Sequence, residues 1–467
     1  MNPIFYDLYA KLPPSLRTVP ATLRGYYLRS WRYGPETPEI VAQALERERW
    51  SATQWQQWQH ERLSRQLHRA ATCVPYYREQ WRQRRLKGDK ASWEVLANWP
   101  VLDKRTVREV GPALVADDCD RSTMFVDRTS GTTGTPLAIW QRRGAIREWY
   151  GLFEARTRLW YGVSRSSRWA ILGGQTVTPL SQRKPPFWVW NHALHQLYLS
   201  TFHLKAEHIP DYADALRQHR IEYLVGYSAA LHVLARHLLT KGLRLPMKVV
   251  VTNAEPLFPQ QREAIAEAFC CPVHATYGMA EAVVAASECE RGTLHLWPDA
   301  GVMEVLADGR PAAPGVTGDL ICTGLLNPDM PLIRYAVGDR GRLSAASEPC
   351  ACGRTLPRLE SVEGRANDSL VTRDGRRVFW LNPVFYSLPV AEAQIIQESL
   401  DLVRILYVPA DGFNDQSAQT IIHRTQKLIG PVEVRLEAVA QVPREPSGKF
   451  RAVLCRVPEP SLSEAHR

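Results

Sequence analysis

Residues Thr129-Ser130-Gly131-Thr132-Thr133-Gly134-Thr135-Pro136 place two glycines and five hydroxyls in eight positions. Glycine lets backbone N–H groups turn toward an anion, and hydroxyls donate to phosphoryl oxygens without adding charge, so the stretch reads as a phosphate loop. A Ser/Thr-rich surface turn has the same composition, and the stretch alone does not separate the two. It is not the G-x-x-x-x-G-K-[ST] loop, because Thr135 rather than a lysine follows Gly134.

The surroundings of this loop give it a fold. On its N-terminal side, residues 38 to 87 read as helical, with Val41, Leu45, Trp50, Trp55, Trp58, Leu63 and Leu67 spaced near three and four. From about Leu114 the chain turns to short apolar runs divided by Gly and Pro. Ala170-Ile171-Leu172, Tyr223-Leu224-Val225 and Val249-Val250-Val251 are buried-strand candidates, and 228 to 241 and 259 to 269 have helical spacing. Strands alternating with helices predict an α/β layer structure. Residues 301 to 343, with Val302 to Leu306 and Asp319 to Cys322 between Gly-rich turns, predict a small antiparallel barrel or sheet as a subdomain of about 300–365. Strand candidates Leu402 to Val408 and Val432 to Ala438 around a helix candidate Ala418 to Leu428 predict a compact α+β module. The division expected is a large N-terminal domain, 1–367, and a small C-terminal domain, 368–467.

Composition narrows the class. At 467 residues the chain is about three times the ~150-residue prior for one domain, and 45% hydrophobic with 23% charged residues is ordinary for a globular protein. Lys plus Arg is 58 against 48 Asp plus Glu, a net +10 that suits anions in general. With neither a Lys/Arg run nor a C-x-x-C finger pair, nucleic acid is not the expected partner. Nine cysteines and an N-terminus without a basic-then-apolar layout predict a reducing cytoplasm. No apolar run approaches the ~18 residues of a spanning helix. Residues 5 to 32 interleave apolar and basic side chains in a mix that suits an anionic leaflet, but Pro13, Pro14 and Pro20 favour a segment packed on its own domain. Trp188, Trp190, His192 and His195 form a further candidate lining for a pocket.

Four later stretches follow the loop in order: Tyr277-Gly278-Met279-Ala280-Glu281, Arg334-Tyr335-Ala336-Val337-Gly338-Asp339, Gly364-Arg365-Ala366-Asn367-Asp368 and Pro446-Ser447-Gly448-Lys449-Phe450-Arg451. Each is weak alone; five ordered motifs are not. The series resembles the adenylate-forming superfamily of acyl-CoA synthetases, luciferases and peptide-synthetase adenylation domains. It is more closely similar to the phenylacetate-CoA ligase family and its CapK-type relatives from capsular-polysaccharide clusters, for which Met330-Pro331-Leu332-Ile333-Arg334-Tyr335 is typical. The resemblance covers about residues 40 to 455.

It implies a fold of a large α/β domain with a β-barrel-like subdomain and a small mobile α+β domain, and a reaction of carboxylate with ATP to give acyl-AMP and pyrophosphate. Thr129, Ser130, Thr132 and Thr133, with the backbone of Gly131 and Gly134, are then expected at the phosphates. Glu281 matches the Mg²⁺ residue, a hard ion suited to one carboxylate plus phosphate oxygens. Tyr277, with Gly278, flanks adenine, Asp339 accepts both ribose hydroxyls, and Asn253-Ala254-Glu255 resembles the substrate-side loop. Lys449 is expected to bridge the attacking carboxylate and the α-phosphate, Asp368 to be the hinge, and Arg365 to contact the nucleotide. Lys449, Glu281 and Thr133 are thus the expected catalytic residues.

The chain departs from the family where the second half-reaction is set. Val371-Thr372-Arg373-Asp374-Gly375-Arg376-Arg377 lacks the usual Lys-x-Arg-Gly of the coenzyme A tunnel. Activation is therefore the safer expectation, with an amine as a reasonable acceptor in place of a thiol. The alternative from another class is a catalytically degenerate nucleotide-binding component of a surface-polysaccharide assembly system. Cys350-Ala351-Cys352-Gly353 is a thiolate knuckle, and Cys289 with His295 six positions on offers two further soft ligands, a candidate structural Zn²⁺ set.

Overall fold

The computed structural model describes residues 8–128, 137–255, 257, 259–346, 348–363, 370–378, 381–440, 442–443 and 453–457. The helical stretch expected over 38 to 87 is three helices, Thr37–Arg47, Ala52–Cys73 and Pro75–Leu86. The breaks have local causes. Ser51 and Gln54 form a capping box that starts the second helix. Pro75 holds Val74 extended, at φ −98° and ψ 113°, which ends one helix and starts the next.

Strands β1 (Phe125–Arg128) and β2 (Ala138–Gln141) pair antiparallel, with Arg128 opposite Ala138. Next come β3 (Trp169–Gly173), β4 (Trp188–Asn191), β5 (Gln196–Ser200), β6 (Tyr223–Tyr227), β7 (Val249–Asn253) and β8 (Val273–Gly278). Of these, β5, β3, β6, β7 and β8 lie side by side and parallel. Their near-continuous apolar runs follow from burial on both faces. Helices Ile209–Gln218, Ser228–Thr240 and Pro259–Phe269 cover one side through Leu216, Leu231, Leu234 and Phe269. All three strand candidates lie within these elements, and the helix candidates match theirs, the first to within one residue at its C-terminal end.

The antiparallel region joins the same sheet. Strand β8 pairs with β9 (Ala285–Glu288), and β10 (Leu294–Leu296), β11 (Gly301–Ala307), β12 (Arg310–Pro311), β13 (Gly318–Gly324), β14 (Tyr335–Leu343) and β15 (Arg358–Glu363) extend it. The full order is β12-β11-β13-β14-β15-β10-β9-β8-β7-β6-β3-β5-β4. Of the two forms expected for residues 301 to 343, the sheet is observed, because β9 continues the ladder directly from β8.

At the other edge, β4 carries Trp188 and Trp190, and Trp190 stacks on His219 at 4.8 Å. These residues belong to packing rather than to the pocket suggested for them. Helix Thr18–Arg32 lies against this edge, so closely that a Cβ on Gly25 would come within 2.1 Å of Asn191 Oδ1.

Residues 370–457 hold two further sheets, one of two strands and one of four. Hairpins β16 (Leu370–Val371) with β17 (Arg377–Val378) precede β18 (Val390–Gln397), β19 (Leu402–Pro409), β20 (Glu433–Ala438) and β21 (Val453–Cys455), the last four in order β20-β19-β18-β21. Helix Asp415–Ile429 packs Ile421 and Leu428 on Val403 and Ile405. This unit sits on residues 202–205: Phe202 enters its core, Arg376 Nη1 donates to Phe202 O at 2.7 Å, and Lys205 Nζ lies 2.5 Å from Asp374 Oδ2.

Candidate active site

Ligands of open parallel sheets bind beyond the carboxyl ends of the strands, and here β6, β7 and β8 end at Tyr227, Asn253 and Gly278. Asn253, Ala254 and Glu255 stand at that end of β7. Ala254 has φ +63°, a left-handed value that costs a non-glycine residue energy and is often kept at ligand sites. Asn253 Oδ1 is buried and makes no hydrogen bond among the described residues, an arrangement suited to a polar ligand group.

Two pairs form one strand further along. Tyr277, the penultimate residue of β8, donates its hydroxyl to Asp339 Oδ2 on β14 at 3.0 Å. Glu281 follows in a turn closed by Ala282 N donating to Met279 O, and its side chain is only 7% exposed. Tyr335, buried at the start of β14, donates to Glu281 Oε1 at 2.8 Å, and Lys104 Nζ stands 3.5 Å from the same oxygen. Lys104 reaches this place because Leu102 bridges to Tyr335, with Leu102 N on Arg334 O, while Asp103 caps the helix Lys104–Val110. Asp127 on β1 joins the group. It keeps an open edge, yet the protein packed around it raises its carboxyl above the usual range, with Glu281 adding repulsion and Arg32 and Arg24 opposing.

The fold thus brings Tyr277, Gly278, Glu281 and Asp339 together, and it adds Lys104, Tyr335 and Asp127, which the motif reading left without a role. Tyr335 lay inside a quoted motif, so its spacing from Asp339 was a usable signal; nothing local marks Lys104. Thr129, Ser130, Gly131, Thr132, Thr133 and Gly134, together with Arg365, Asp368 and Lys449, lie outside the described residues.

A second cluster lies on the antiparallel part of the sheet. The turn between β9 and β10 carries Cys289, with Gly292 N donating to Cys289 O at 2.9 Å, and β10 carries His295. The knuckle before β15 closes with Gly353 N donating to Cys350 O at 2.9 Å, Gly353 taking φ +79°. Ligand atoms of Cys289, His295, Cys350 and Cys352 all lie within 4.8 Å of one another. The sulfurs of Cys289 and Cys350 are 3.9 Å apart, and Cys352 Sγ is 3.4 Å from His295 Nε2. His295 Nδ1 engages Leu356 O at 3.1 Å, which leaves Nε2 toward the sulfurs. Burial holds the His295 imidazole below its ordinary value, in the neutral form that ligates, and pushes the Cys289 thiol up to about 11. Arg354 next to the knuckle pairs with Glu48 at 3.2 Å, tying the cluster to the N-terminal helices.

Comparison with known proteins agrees with this architecture. A family model for AMP-binding enzymes matches residues 52–326, and one for the CapK C-terminal domain matches residues 370–455. Protein CapK of Staphylococcus aureus is 25% identical over 387 residues, covering 80% of this chain and 84% of that protein. Phenylacetate-coenzyme A ligase of Escherichia coli strain K12 is 24% identical over 360 residues, covering 70% and 75%. The structure of 2-hydroxyisobutyryl-CoA ligase in complex with 2-HIB-AMP and CoA has a TM-score of 0.57 at 20% identity, over 88% of this chain and 91% of that one; this likeness is one of fold.

Proposed function

The chain belongs to the family of AMP-binding enzymes, and from that premise we propose that it activates an aryl or fatty carboxylic acid with ATP and passes the acyl group to a thiol or an amine. The observation that carries the reading is the meeting of two distant stretches, Tyr277 with Asp339 and Glu281 with Tyr335, at the carboxyl end of the parallel strands. A carboxylate oxygen attacks the α-phosphorus of ATP, an O–P bond forms, and the bond to pyrophosphate breaks.

Both reactants are anions, so the protein's part is to hold them and offset charge. In this reading Thr129 to Gly134 receive the phosphates. Glu281 would hold Mg²⁺, which would supply positive charge against the triphosphate. Tyr335 orients Glu281 by donating to one oxygen, and Lys104 adds a cation beside it. Asp339 receives the ribose hydroxyls, positioned by Tyr277, whose ring flanks adenine. Asn253, Ala254 and Glu255 border the acid. Residues 1–367 supply these groups, and the lid, 368–467, turns about Asp368 to deliver Lys449, with Arg365 on the nucleotide.

For the acceptor, the segment 371–377 favours an amine. It lacks the Lys-x-Arg-Gly pattern, and its Asp374 and Arg376 are engaged with Lys205 and Phe202 O. Robust acyl-CoA formation with no amine present would replace this choice by coenzyme A. The second reading, a degenerate nucleotide-binding component of a polysaccharide system, is opposed by the presence of Glu281, Asp339, Arg365 and Lys449 together, for which a scaffold has no chemical need.

Cys289, His295, Cys350 and Cys352 suit a structural zinc. The donors are soft, four in number and already gathered, and Arg354, which hydrogen-bonds Cys352, is a single cation against two or three thiolates. Bound there, zinc would supply further positive charge and a cross-link.

The test is pyrophosphate release with ATP, Mg²⁺ and a panel of aryl, fatty and amino acids, with hydroxylamine trapping acyl-adenylate and Lys449→Ala run beside the wild type. Release with one acid class, lost in the variant, is expected. Silence with ATP still bound would favour the scaffold.

A further inference from the structure

Between Leu8 and Gly34 the chain has no Asp or Glu and carries Lys11, Arg17, Arg24, Arg29 and Arg32. One side of its helix Thr18–Arg32 is fixed on the body. Gly25 lies on Asn191, Arg17 is buried and donates to Leu12 O and Gln182 Oε1, and Arg32 covers the Tyr150 ring at 4.5 Å.

The opposite side is apolar and open. Leu16, Val19, Leu23, Tyr26 and Tyr27 follow at intervals of three, four, three and one residues, which puts them on one face at ~3.6 residues per turn. Each is between 51% and 65% exposed. Ser30, on the same face, turns its hydroxyl back to Tyr27 O at 2.8 Å. Exposed Arg24 and Arg29 stand at the two edges of the row and Lys11 beyond its N-terminal end. The face continues onto β1, where Phe125 packs on Tyr27 and Trp31 and Val126 is 37% exposed. Single exposed apolar residues are common, but a contiguous row with a charged rim marks an interaction surface.

We propose that this face binds an anionic lipid surface. Three features select that occupant. The rim is cationic on both edges with no acid in the segment itself, Asp127 of the adjoining β1 facing Arg24 and Arg32, the row ends in tyrosines suited to a headgroup boundary, and a helix lying flat with its apolar side outward fits a plane. A second copy of the chain fits poorly, since pairing this face with itself sets cation against cation. Among the described residues no helix is long and apolar enough to cross a membrane, so the contact is one of lying on the surface. The proposal is independent of the acid-activating reading above.

The test is co-sedimentation of the full chain with vesicles of phosphatidylcholine alone and of phosphatidylcholine with phosphatidylglycerol. Binding to the anionic vesicles is expected to exceed that to the neutral ones at least about tenfold and to fall as salt rises. Val19→Glu with Leu23→Glu should abolish it, and Arg24→Gln with Arg29→Gln should weaken it about thirtyfold. These side chains are exposed, so circular dichroism should be unchanged in both. Equal or absent sedimentation with the two vesicle types would overturn the proposal. So would anionic binding that survives Val19→Glu with Leu23→Glu, which would trace it to net charge alone. A dimer dissolved by that same variant, without vesicle binding, would assign the face to a second copy and equally overturn it.

Discussion

The cysteine cluster and the carboxylate cleft are built alike and behave differently. Cys289 meets Cys350 across 61 residues of chain, and Tyr277 meets Asp339 across 62. In the cleft each acid already has partners from the chain: Tyr335 and Lys104 for Glu281, Tyr277 for Asp339. Such a site is stable when empty and can respond to a ligand. In the cluster four soft donors crowd within 4.8 Å, with the Arg354 guanidinium hydrogen-bonded to Cys352 at its edge. Zinc bound there, as proposed above, would cross-link the two turns. The cluster should therefore govern folding, and the cleft turnover.

The strongest test is Cys350→Ser, with metal analysis and thermal unfolding beside wild type. It should lose zinc and about 4 kcal/mol or more of stability, the range reached when a structural metal is lost; equal zinc or an equal midpoint would break the contrast. Glu281→Gln should do the opposite, leaving the midpoint unchanged while lowering pyrophosphate release by about 10²–10³-fold, as for removal of a charge-handling group.

Acid probes a third place, the seat of the C-terminal unit. His203 is buried there, stacked on Phe187 at 4.6 Å, with Nδ1 on Ser200 Oγ. Burial pushes its imidazole from 6.5 down to about 4, with nearby Arg376 and then His208 adding to the effect. The unfolded chain takes up this proton first, so the stabilisation is complete above 6.5 and lost as pH falls toward 4. The loss over that window is on the order of 3 kcal/mol, and His203→Gln should flatten the profile measured by thermal unfolding.

Tyr335→Phe removes the hydroxyl that donates to the Glu281 carboxylate. It should cost about 2 kcal/mol in the transition state, seen as roughly thirtyfold slower pyrophosphate release at unchanged melting. The smallest effect belongs to Lys205→Ala, whose partner Asp374 is 42% exposed. Less than about 1 kcal/mol of stability should go with this surface pair, and a larger loss in unfolding scans would mean that the seat is held more tightly than its geometry suggests.

How much of this was readable before folding varied with distance along the chain. Cys350 and Cys352 announce themselves because they are two apart, and His295 lies six from Cys289, so only the meeting of the two pairs had to be supplied. Glu281 and Asp339 were singled out through the order of the motifs. Lys104 was not, since its place depends on Leu102 bridging to Tyr335 far along the sequence. The N-terminal segment was only half legible: Gly25 fixes one side to the body as expected, while the open row from Leu16 to Tyr27 emerges once the packed side is known. The apolar and aromatic periodicity of residues 38 to 87 suggested one helical region, and the breaks at Ser51 and Pro75 are caps that the residues themselves encode.

By itself the sequence determined the alternation of strands and helices, the order of the motifs and the presence of a soft-ligand knuckle, because each rests on side chains a few positions apart. Only the tertiary structure decided which acid faces which tyrosine, that the antiparallel strands continue the parallel sheet, and which side of the first long helix stays open. Those are contacts between stretches tens to hundreds of residues apart, selected by burial over the whole sheet and not by any local pattern.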